Sequence, residues 1–282
     1  MVMEILPLLV WPIVASLVIA GIHAYLGLHV VERGVIFVDL SLAQIASLGA
    51  TLALLVPAFG GDPHHPAVYW MSLGFTLIGA AIFSLIKGHE ARIPQEAIIG
   101  ITYAVASAAV IVAMSKSTGE SEHLRDMLVG NILSVQPPEI IKTGVLYVAI
   151  GIFHYVFRKQ FLLISTDPHG AVARGMAVRF WDFLFYASFG LVVTRSVAIA
   201  GVLLVFCYLI VPSVGAMLFA ESIGARLAIG WVMGVVVSML GMYFSVEFDL
   251  PTGATIVCTF GAVLVAMTAV RALLPRRRAQ PV

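Results

Sequence analysis

The feature that most constrains this chain is a succession of long apolar segments separated by short polar ones. A helix needs about 20 mostly apolar residues to cross the hydrocarbon core of a bilayer. Nine segments reach or approach this length: 5–28, 35–56, 67–87, 95–115, 139–158, 181–196, 198–218, 228–246 and 252–274. The sixth is short and meets the seventh at Arg195 and Ser196, where we expect a tight turn at a membrane interface. The pattern predicts an all-α, polytopic membrane bundle of about nine transmembrane helices, with eight as the alternative.

The composition supports a membrane-embedded chain and argues against several other classes. Hydrophobic residues make up 61% of the chain and charged residues 11%, whereas a soluble domain carries about 25% charged residues. The net charge of +1 gives no reason to expect a nucleic-acid partner. The two cysteines, Cys207 and Cys258, lie in apolar segments and suit neither a disulfide framework nor a zinc site. We expect a single transmembrane domain over residues 1–282, surrounded by the lipids of a cell membrane.

The distribution of lysine and arginine predicts the orientation of the chain. With nine crossings and a cytoplasmic C-terminus, 12 of the 16 Lys and Arg residues fall on the cytoplasmic side, as the positive-inside rule requires. The N-terminus then lies outside, and the basic tail 275–282 is expected to contact lipid headgroups at the inner face. The first apolar segment is too long for a signal-peptide core, so we interpret it as a retained helix.

The longest polar segment on the predicted inner side, residues 159–180, contains a helix-start pattern. Thr166 and Asp167 precede Pro168, and a capping residue followed by proline is typical of a helix N-terminus. Small residues follow the proline. The pattern therefore predicts a short cytoplasmic helix near 166–178 with a flat surface, which can insert into a cleft of another protein.

Five stretches, in order along the chain, carry a resemblance to a known family. They are QEAIIGITYAVASAAVIVA (95–113), LRDMLVGNILSVQPPEI (124–140), STDPHGAVARGMAVRFWD (165–182), AGVLLVFCYLIVPSVGAMLFA (200–220) and FDLPTGATIV (248–257). In these stretches the chain resembles the metal-type ABC transporter permeases, which are the membrane subunits for zinc, manganese and iron uptake. The resemblance extends over nearly the whole sequence.

The resemblance implies an importer assembled from separate subunits. Two copies of this chain would form the pore as a homodimer, a cytoplasmic ATP-binding subunit would grip the short inner helix, and an external substrate-binding protein would deliver the cargo. The chain has no glycine-rich phosphate loop ending in lysine and threonine. We therefore expect a transport subunit that is not an enzyme and holds no permanent cofactor. The contact with the ATP-binding subunit is assigned to Asp167, Ala171, Arg174 and Gly175.

The second apolar segment carries the polar residues that we assign, as a hypothesis, to the cargo pathway. Asp39, Ser41 and Gln44 lie in an otherwise apolar run, where a charged side chain is costly and faces protein rather than lipid. The resemblance implies an aspartate followed four residues later by a histidine. This chain instead has Ala43 after Asp39 and Leu40 before Gln44 at that spacing. A carboxamide is a weak metal ligand, so a bare zinc, manganese or iron ion, a metal complex and a non-metal cargo all remain open.

Simpler interpretations of these residues are open at this stage. Asp39 can be a carboxylate near the inner interface that pairs with Arg33, and Gln44 can form an interhelical hydrogen bond that fixes packing. In an outer loop, His64 and His65 can bind a transition metal weakly, although the flanking prolines favour a solvated turn. The interface carboxylate, the packing hydrogen bond and the solvated turn all leave the residue without a role in transport.

One pair of glycines predicts a close contact between helices. Gly230 and Gly234 share a helix face at the spacing that lets two membrane helices approach closely. The contact can lie within one subunit or between two copies, and the sequence does not distinguish these.

Two other classes of function remain as alternatives. An ion-coupled secondary transporter needs titratable groups inside its spans, and this chain offers few, namely Asp39 and Glu96. A membrane-embedded enzyme needs a catalytic cluster at membrane depth, and the sequence contains none that we recognise.

Overall fold

The computed structural model of the protein describes residues 2–59, 65–86, 93–115 and 132–274, with side chains from Leu9 onward. Two sequence predictions lie outside these residues: the metal-binding role of His64 and the lipid contact of the basic tail 275–282. The described part of the chain contains α-helices and short 3₁₀ turns at Pro57–Phe59 and Ile132–Ser134, with no β-strand.

Within that part we number eleven α-helices. They are α1 (Val2–Arg33), α2 (Val38–Leu54), α3 (Pro66–Ile86), α4 (Gln95–Met114), α5 (Pro137–Val156), α6 (Arg158–Thr166), α7 (Pro168–Ala173), α8 (Val178–Ala200), α9 (Val202–Met217), α10 (Ile223–Glu247) and α11 (Thr252–Leu273). The all-α class predicted from the sequence is confirmed.

Seven of the helices described are long and apolar enough to cross a membrane: α1, α3, α4, α5, α8, α10 and α11. The helices α2 and α9 are also apolar but have only 17 and 16 residues. Each apolar segment of the sequence thus contains a helix. The number of membrane crossings and the orientation of the termini stay predictions.

The prediction of a tight turn at Arg195 and Ser196 is wrong. Helix α8 continues through both residues and ends at Ala200, and the break is Gly201, which has a φ of 77°. A left-handed φ carries little steric cost only for glycine, so glycine and not the charged residue ends the helix. Inside α8, Arg195 Nε donates a hydrogen bond to Thr143 Oγ1 at 3.1 Å, and this contact gives the cation a partner in the bundle.

The inner segment between α5 and α8 contains two short helices where the sequence predicted one. Helix α6 follows α5 after the single residue Phe157, and its start was missed because its charged first turn resembles a loop. Helix α7 begins at Pro168, at the predicted point. Asp167 Oδ1 accepts a hydrogen bond from Gly170 N at 2.8 Å, so the aspartate acts as the side-chain cap of the helix.

Helix α7 is shorter than the segment 166–178 expected from the sequence. It ends at Ala173, and Arg174 is its C-cap. Gly175 follows with a φ of 73°, a conformation that favours glycine and stops the helix. The remaining residues of the segment form the turn that leads into α8.

Helix α1 lies at the centre of one group of helices, and α2 lies at the centre of another. Helix α1 contacts α5, α6, α9 and α10, whereas α2 contacts α3, α4 and α8. The α1–α9 contact is very close, because a Cβ added at Gly27 would lie 1.9 Å from the Leu209 carbonyl oxygen. No larger residue fits at Gly27 without a shift of one of the two helices.

The predicted glycine contact on α10 lies within the subunit. An added Cβ at Gly230 would lie 3.5 Å from Ala24 Cβ, and one at Gly234 would lie 3.0 Å from Ala20 Cβ. Both glycines therefore let α10 approach α1 of the same chain. The structure thereby decides one of the two alternatives that the sequence left open.

Candidate functional site

The polar side chains of α2 face the interior of the protein. Asp39, Ser41 and Gln44 are 1%, 0% and 4% exposed, and Ser47 and Thr51 further along the helix are also buried. This burial follows from the position of α2, which packs against α3, α4, α8 and α9. The expectation that these side chains contact protein rather than lipid therefore holds for Asp39, Ser41 and Gln44.

We call the buried residues Asp39, Ser41, Gln44, Ser47 and Thr51 the polar stripe of α2. Several of its oxygen atoms have no hydrogen-bond partner within the part of the chain described. They are Asp39 Oδ1, Ser41 Oγ and Thr51 Oγ1. A buried polar atom without a partner costs about 1–3 kcal/mol, so such atoms in a folded protein call for an explanation. Carboxylate and hydroxyl oxygens are ligands for hard divalent cations, and a passing cation would satisfy them.

A second carboxylate lies at the same end of α2. The Phe37 backbone N–H donates a hydrogen bond to Glu96 Oε1 at 3.0 Å, while Glu96 Oε2 is buried without a partner. Asp39 lies within electrostatic reach of Glu96. The start of α2 therefore brings together two carboxylates that accept hydrogen bonds from backbone N–H groups, and a cation there would lower the repulsion between them.

The contacts of Arg33 correct one alternative from the sequence. Arg33 does not neutralise Asp39; its Nη1 donates to Asp182 Oδ1 at 2.5 Å, and both side chains are buried. Its guanidinium also lies over the Phe185 ring, 4.0 Å from the centroid. Because the cation is engaged by α8, the pairing of Asp39 with Arg33 is ruled out in this structure.

Close to Arg33 lies a cluster of buried polar side chains that the sequence did not single out. His29 Nδ1 and Ser165 Oγ are 2.8 Å apart, and Arg33 Nε donates to the same Ser165 Oγ at 2.8 Å. His154 Nε2 lies 2.8 Å from Ser188 Oγ, and its Nδ1 lies 3.3 Å from the Tyr25 hydroxyl. The residues are far apart in the sequence, so no spacing pattern could have brought them together.

The residues assigned to the contact with the ATP-binding subunit differ in accessibility. Asp167, Arg174 and Gly175 are exposed on the segment around α7. Ala171 is 0% exposed and packs with Ile164 and Val178 in a small apolar cluster. A partner can therefore touch the first three residues, whereas Ala171 holds α7 against α6 and α8.

The outer histidine that the structure describes is engaged within its own turn. His65 Nδ1 accepts a hydrogen bond from Ala67 N at 3.2 Å, and its ring stacks on Phe59 with centroids 5.1 Å apart. Among the described residues, no group of three or more His, Cys, Asp or Glu side chains is arranged to hold a metal ion.

Comparison with known proteins places this geometry in a family. The sequence profile described as the ABC 3 transport family matches residues 6–271. The chain belongs to the ABC 3 transport family. The resemblance found from the five sequence stretches is thereby confirmed. With its seven apolar helices of membrane-spanning length in the described part, this member of the family is a multi-pass inner-membrane protein.

Individual relatives of this ABC 3 family member are similar over most of their length. The "Manganese import system permease protein ScaB" of Streptococcus gordonii is 27% identical over 252 residues, 88% of this chain and 85% of the relative. The "Probable iron transport system membrane protein" of Haemophilus influenzae is 26% identical over 245 residues, 87% of each chain. The solved structure "PsaBC from Streptococcus pneumoniae in complex with Fab" superposes with a TM-score of 0.77 at 25% identity, covering 95% of each chain.

Proposed function

We propose that this chain is the membrane-spanning permease subunit of an ABC importer for a divalent metal ion. In this proposal an external substrate-binding protein delivers the ion and a separate cytoplasmic ATP-binding subunit supplies the energy. A second copy of the permease completes the pore. The N-terminus lies outside and the C-terminus lies in the cytoplasm.

The observation that carries the proposal is the set of unpartnered buried oxygens on α2. Asp39 Oδ1, Ser41 Oγ and Thr51 Oγ1 lie inside a bundle of this family and receive no hydrogen bond from the residues that the structure describes. The carboxylate of Asp39 supplies the charge that attracts a cation, and the neutral oxygens replace part of its hydration shell. Gln44, buried on the same helix, adds a carboxamide oxygen.

The identity of these groups supports one order of preference among the candidate metals. Oxygen ligands suit Mn²⁺, whereas Zn²⁺ is bound best by nitrogen and sulfur. Relatives of the chain are named for manganese import and for iron transport. We therefore propose Mn²⁺ as the leading candidate, Fe²⁺ as the next and Zn²⁺ as the least favoured.

The inner segment supports the role of the ATP-binding subunit. The exposed residues Asp167, Arg174 and Gly175 form the surface that meets the subunit, and Ala171 fixes that surface to the bundle from behind. When ATP binding brings the ATP-binding subunits together, the segment moves with them. That motion shifts α2 between a state open to the outside and a state open to the inside.

A reconstituted complex tests the proposal. Purified permease, ATP-binding subunit and binding protein are placed in proteoliposomes, and uptake and ATP hydrolysis are measured with Mn²⁺, Fe²⁺ and Zn²⁺. We expect Mn²⁺ to stimulate both activities. Uptake of a metal complex, but of no bare ion, would instead indicate a chelate transporter. Uptake by the permease alone would indicate a secondary transporter.

The matched variants in this assay are Asp39→Asn and Asp249→Asn. Asp39→Asn removes the buried charge, so uptake should fall by about tenfold or more, equivalent to at least 1.4 kcal/mol. Asp249 is exposed and has a φ of 50°, which asparagine tolerates, so uptake should change little in that variant. Equal uptake by both variants would contradict a pathway role for Asp39.

The coupling surface has its own pair of variants. Gly175→Trp places a bulky side chain where an added Cβ meets open space, so it should leave the bundle folded but block the partner. Gly175→Ala carries the same strain of about 1–2 kcal/mol at positive φ without the bulk. Metal-dependent ATP hydrolysis should be lost with tryptophan and retained with alanine. If the tryptophan variant kept full uptake, the assignment of the coupling segment would be wrong.

A further inference from the structure

A buried serine near the end of α6 forms hydrogen bonds with α1. Ser165 lies two residues before Asp167, which caps α7, and its side chain is buried. Its hydroxyl oxygen accepts a hydrogen bond from Arg33 Nε and lies 2.8 Å from His29 Nδ1, both on α1. The oxygen can accept from the guanidinium and donate its proton to the imidazole. Two side chains of α1 therefore contact a single atom at the base of the inner segment.

The same arginine joins α1 to α8. Its Nη1 pairs with Asp182 Oδ1, and the two side chains are 0% and 1% exposed. The guanidinium also covers the ring of Phe185, one turn further along α8. Arg33 is thus shared by three helices, and a guanidinium with its planar, fixed donors is the side chain best suited to such a junction.

Apolar contacts also attach the inner segment to the bundle. Phe161, one turn before Ser165, is buried and stacks on His154 with centroids 4.3 Å apart. Helix α7 is held by the small cluster of Ile164, Ala171 and Val178. Apolar contacts can slide, whereas a charge-assisted hydrogen bond depends steeply on distance and angle. Among the contacts described, the hydrogen bonds of Ser165 are directional connections from this segment to α1.

We propose that Arg33 is a positioning residue that transmits motion: by holding Ser165 and Asp182 together it makes α6 and α7 move as one body with α1 and α8. The inference rests on the proposed function, in which α7 meets an ATP-binding subunit. Without this junction, the inner segment pivots at Phe157 and at the turn after α7. ATP binding and hydrolysis by the partner subunit then move the inner segment without moving the membrane helices.

A neighbouring ion pair provides the matched control. Glu32, next to Arg33 in sequence, pairs with Arg226 at the start of α10 at 2.5 Å, but both side chains are partly exposed. It therefore lies at the same end of α1 in an ion pair of its own, on the more exposed side of Arg33. Exposed ion pairs contribute little, so its loss should not change coupling.

The experiment measures Mn²⁺ transported per ATP hydrolysed by the full complex in proteoliposomes, and the amount of ATP-binding subunit that co-purifies. A folding defect reduces the number of active complexes and lowers uptake and hydrolysis together, so it leaves the ratio unchanged. Ser165→Ala keeps the buried ion pair and should lower the ratio by on the order of tenfold, since hydrogen bonds to charged groups are among the stronger ones. Asp182→Asn should lower it at least as much.

The controls are Glu32→Gln, expected within about twofold of wild type, and Ser165→Thr, which keeps the hydroxyl and should retain most of the ratio. Co-purification should be similar in all variants. If the single variants Ser165→Ala and Asp182→Asn both transported as much Mn²⁺ per ATP hydrolysed as the wild type, the positioning role of Arg33 would be overturned. If the wild-type complex itself shows no Mn²⁺-dependent ATP hydrolysis, the proposed function fails instead, and the two failures are distinguishable.

Discussion

Two polar regions inside the same membrane domain differ in how their buried charges are paired. In the inner cluster around Arg33, that arginine pairs with Asp182 and contacts Ser165, and His154 contacts Ser188, although Arg33 Nη2 has no hydrogen-bond partner among the residues described. In the polar stripe of α2, Asp39 Oδ1 and Ser41 Oγ have no partner among the residues described. Both regions are buried to the same degree, so exposure does not account for the difference.

The comparison separates polar groups that hold the fold from polar groups that can serve a cargo. Buried partners that satisfy one another stabilise one arrangement of helices. Buried oxygens that lack partners raise the energy of the empty protein, and a bound cation lowers it. The inner cluster therefore stabilises the packing of the helices, whereas the polar stripe of α2 is stabilised when a cation binds.

The largest effect expected from this comparison is on stability. Arg33→Met leaves the Asp182 carboxylate buried without its cation and should lower the free energy of unfolding by about 3–5 kcal/mol. Asp39→Asn removes a carboxylate that has an unsatisfied oxygen, so it should lower the free energy by less than about 1 kcal/mol or raise it. Thermal unfolding of the purified permease in detergent measures both. Equal destabilisation by the two variants would break the distinction between the regions.

An intermediate effect tests how tightly α1, which carries part of the inner cluster, is held against α9. Gly27→Ala forces a methyl group against the Leu209 carbonyl and should cost about 1–3 kcal/mol of unfolding free energy. Gly21→Ala is the control on the same helix, because an added Cβ there meets no atom within 4 Å. It should be neutral or stabilise by up to about 1 kcal/mol through helix propensity. The reverse order would contradict the close α1–α9 contact.

The smallest expected effect is on metal uptake and tests the polar stripe of α2. Gln44→His replaces a weak ligand with an imidazole at a buried position of α2, so the metal concentration for half-maximal uptake should fall by about threefold, less than 1 kcal/mol. The decrease should be larger for Zn²⁺ than for Mn²⁺, because imidazole suits zinc. Gln136→His, at an exposed position, is the control. No change in either metal would remove Gln44 from the pathway.

Parts of the site could be predicted and others could not, for reasons that differ by residue. Asp39 and Gln44 stood out because polar residues are rare in an apolar run. Asp167 and Pro168 marked the start of α7 correctly, because capping is a local interaction between neighbours in sequence. Arg195 misled the search for a helix end, because its partner Thr143 lies on another helix. His29, Ser165 and His154 were missed for the same reason.

The sequence by itself determined the helical class, the membrane environment and the family, because hydrophobic length and local motifs are properties of contiguous residues. The tertiary structure decided which polar groups meet. It assigned Arg33 to Asp182 rather than to Asp39, directed Gly230 and Gly234 toward α1 of the same chain, and buried Ala171. In each case the partner comes from a distant part of the chain, and only the packing of whole helices brings the two within the few ångströms over which such contacts act.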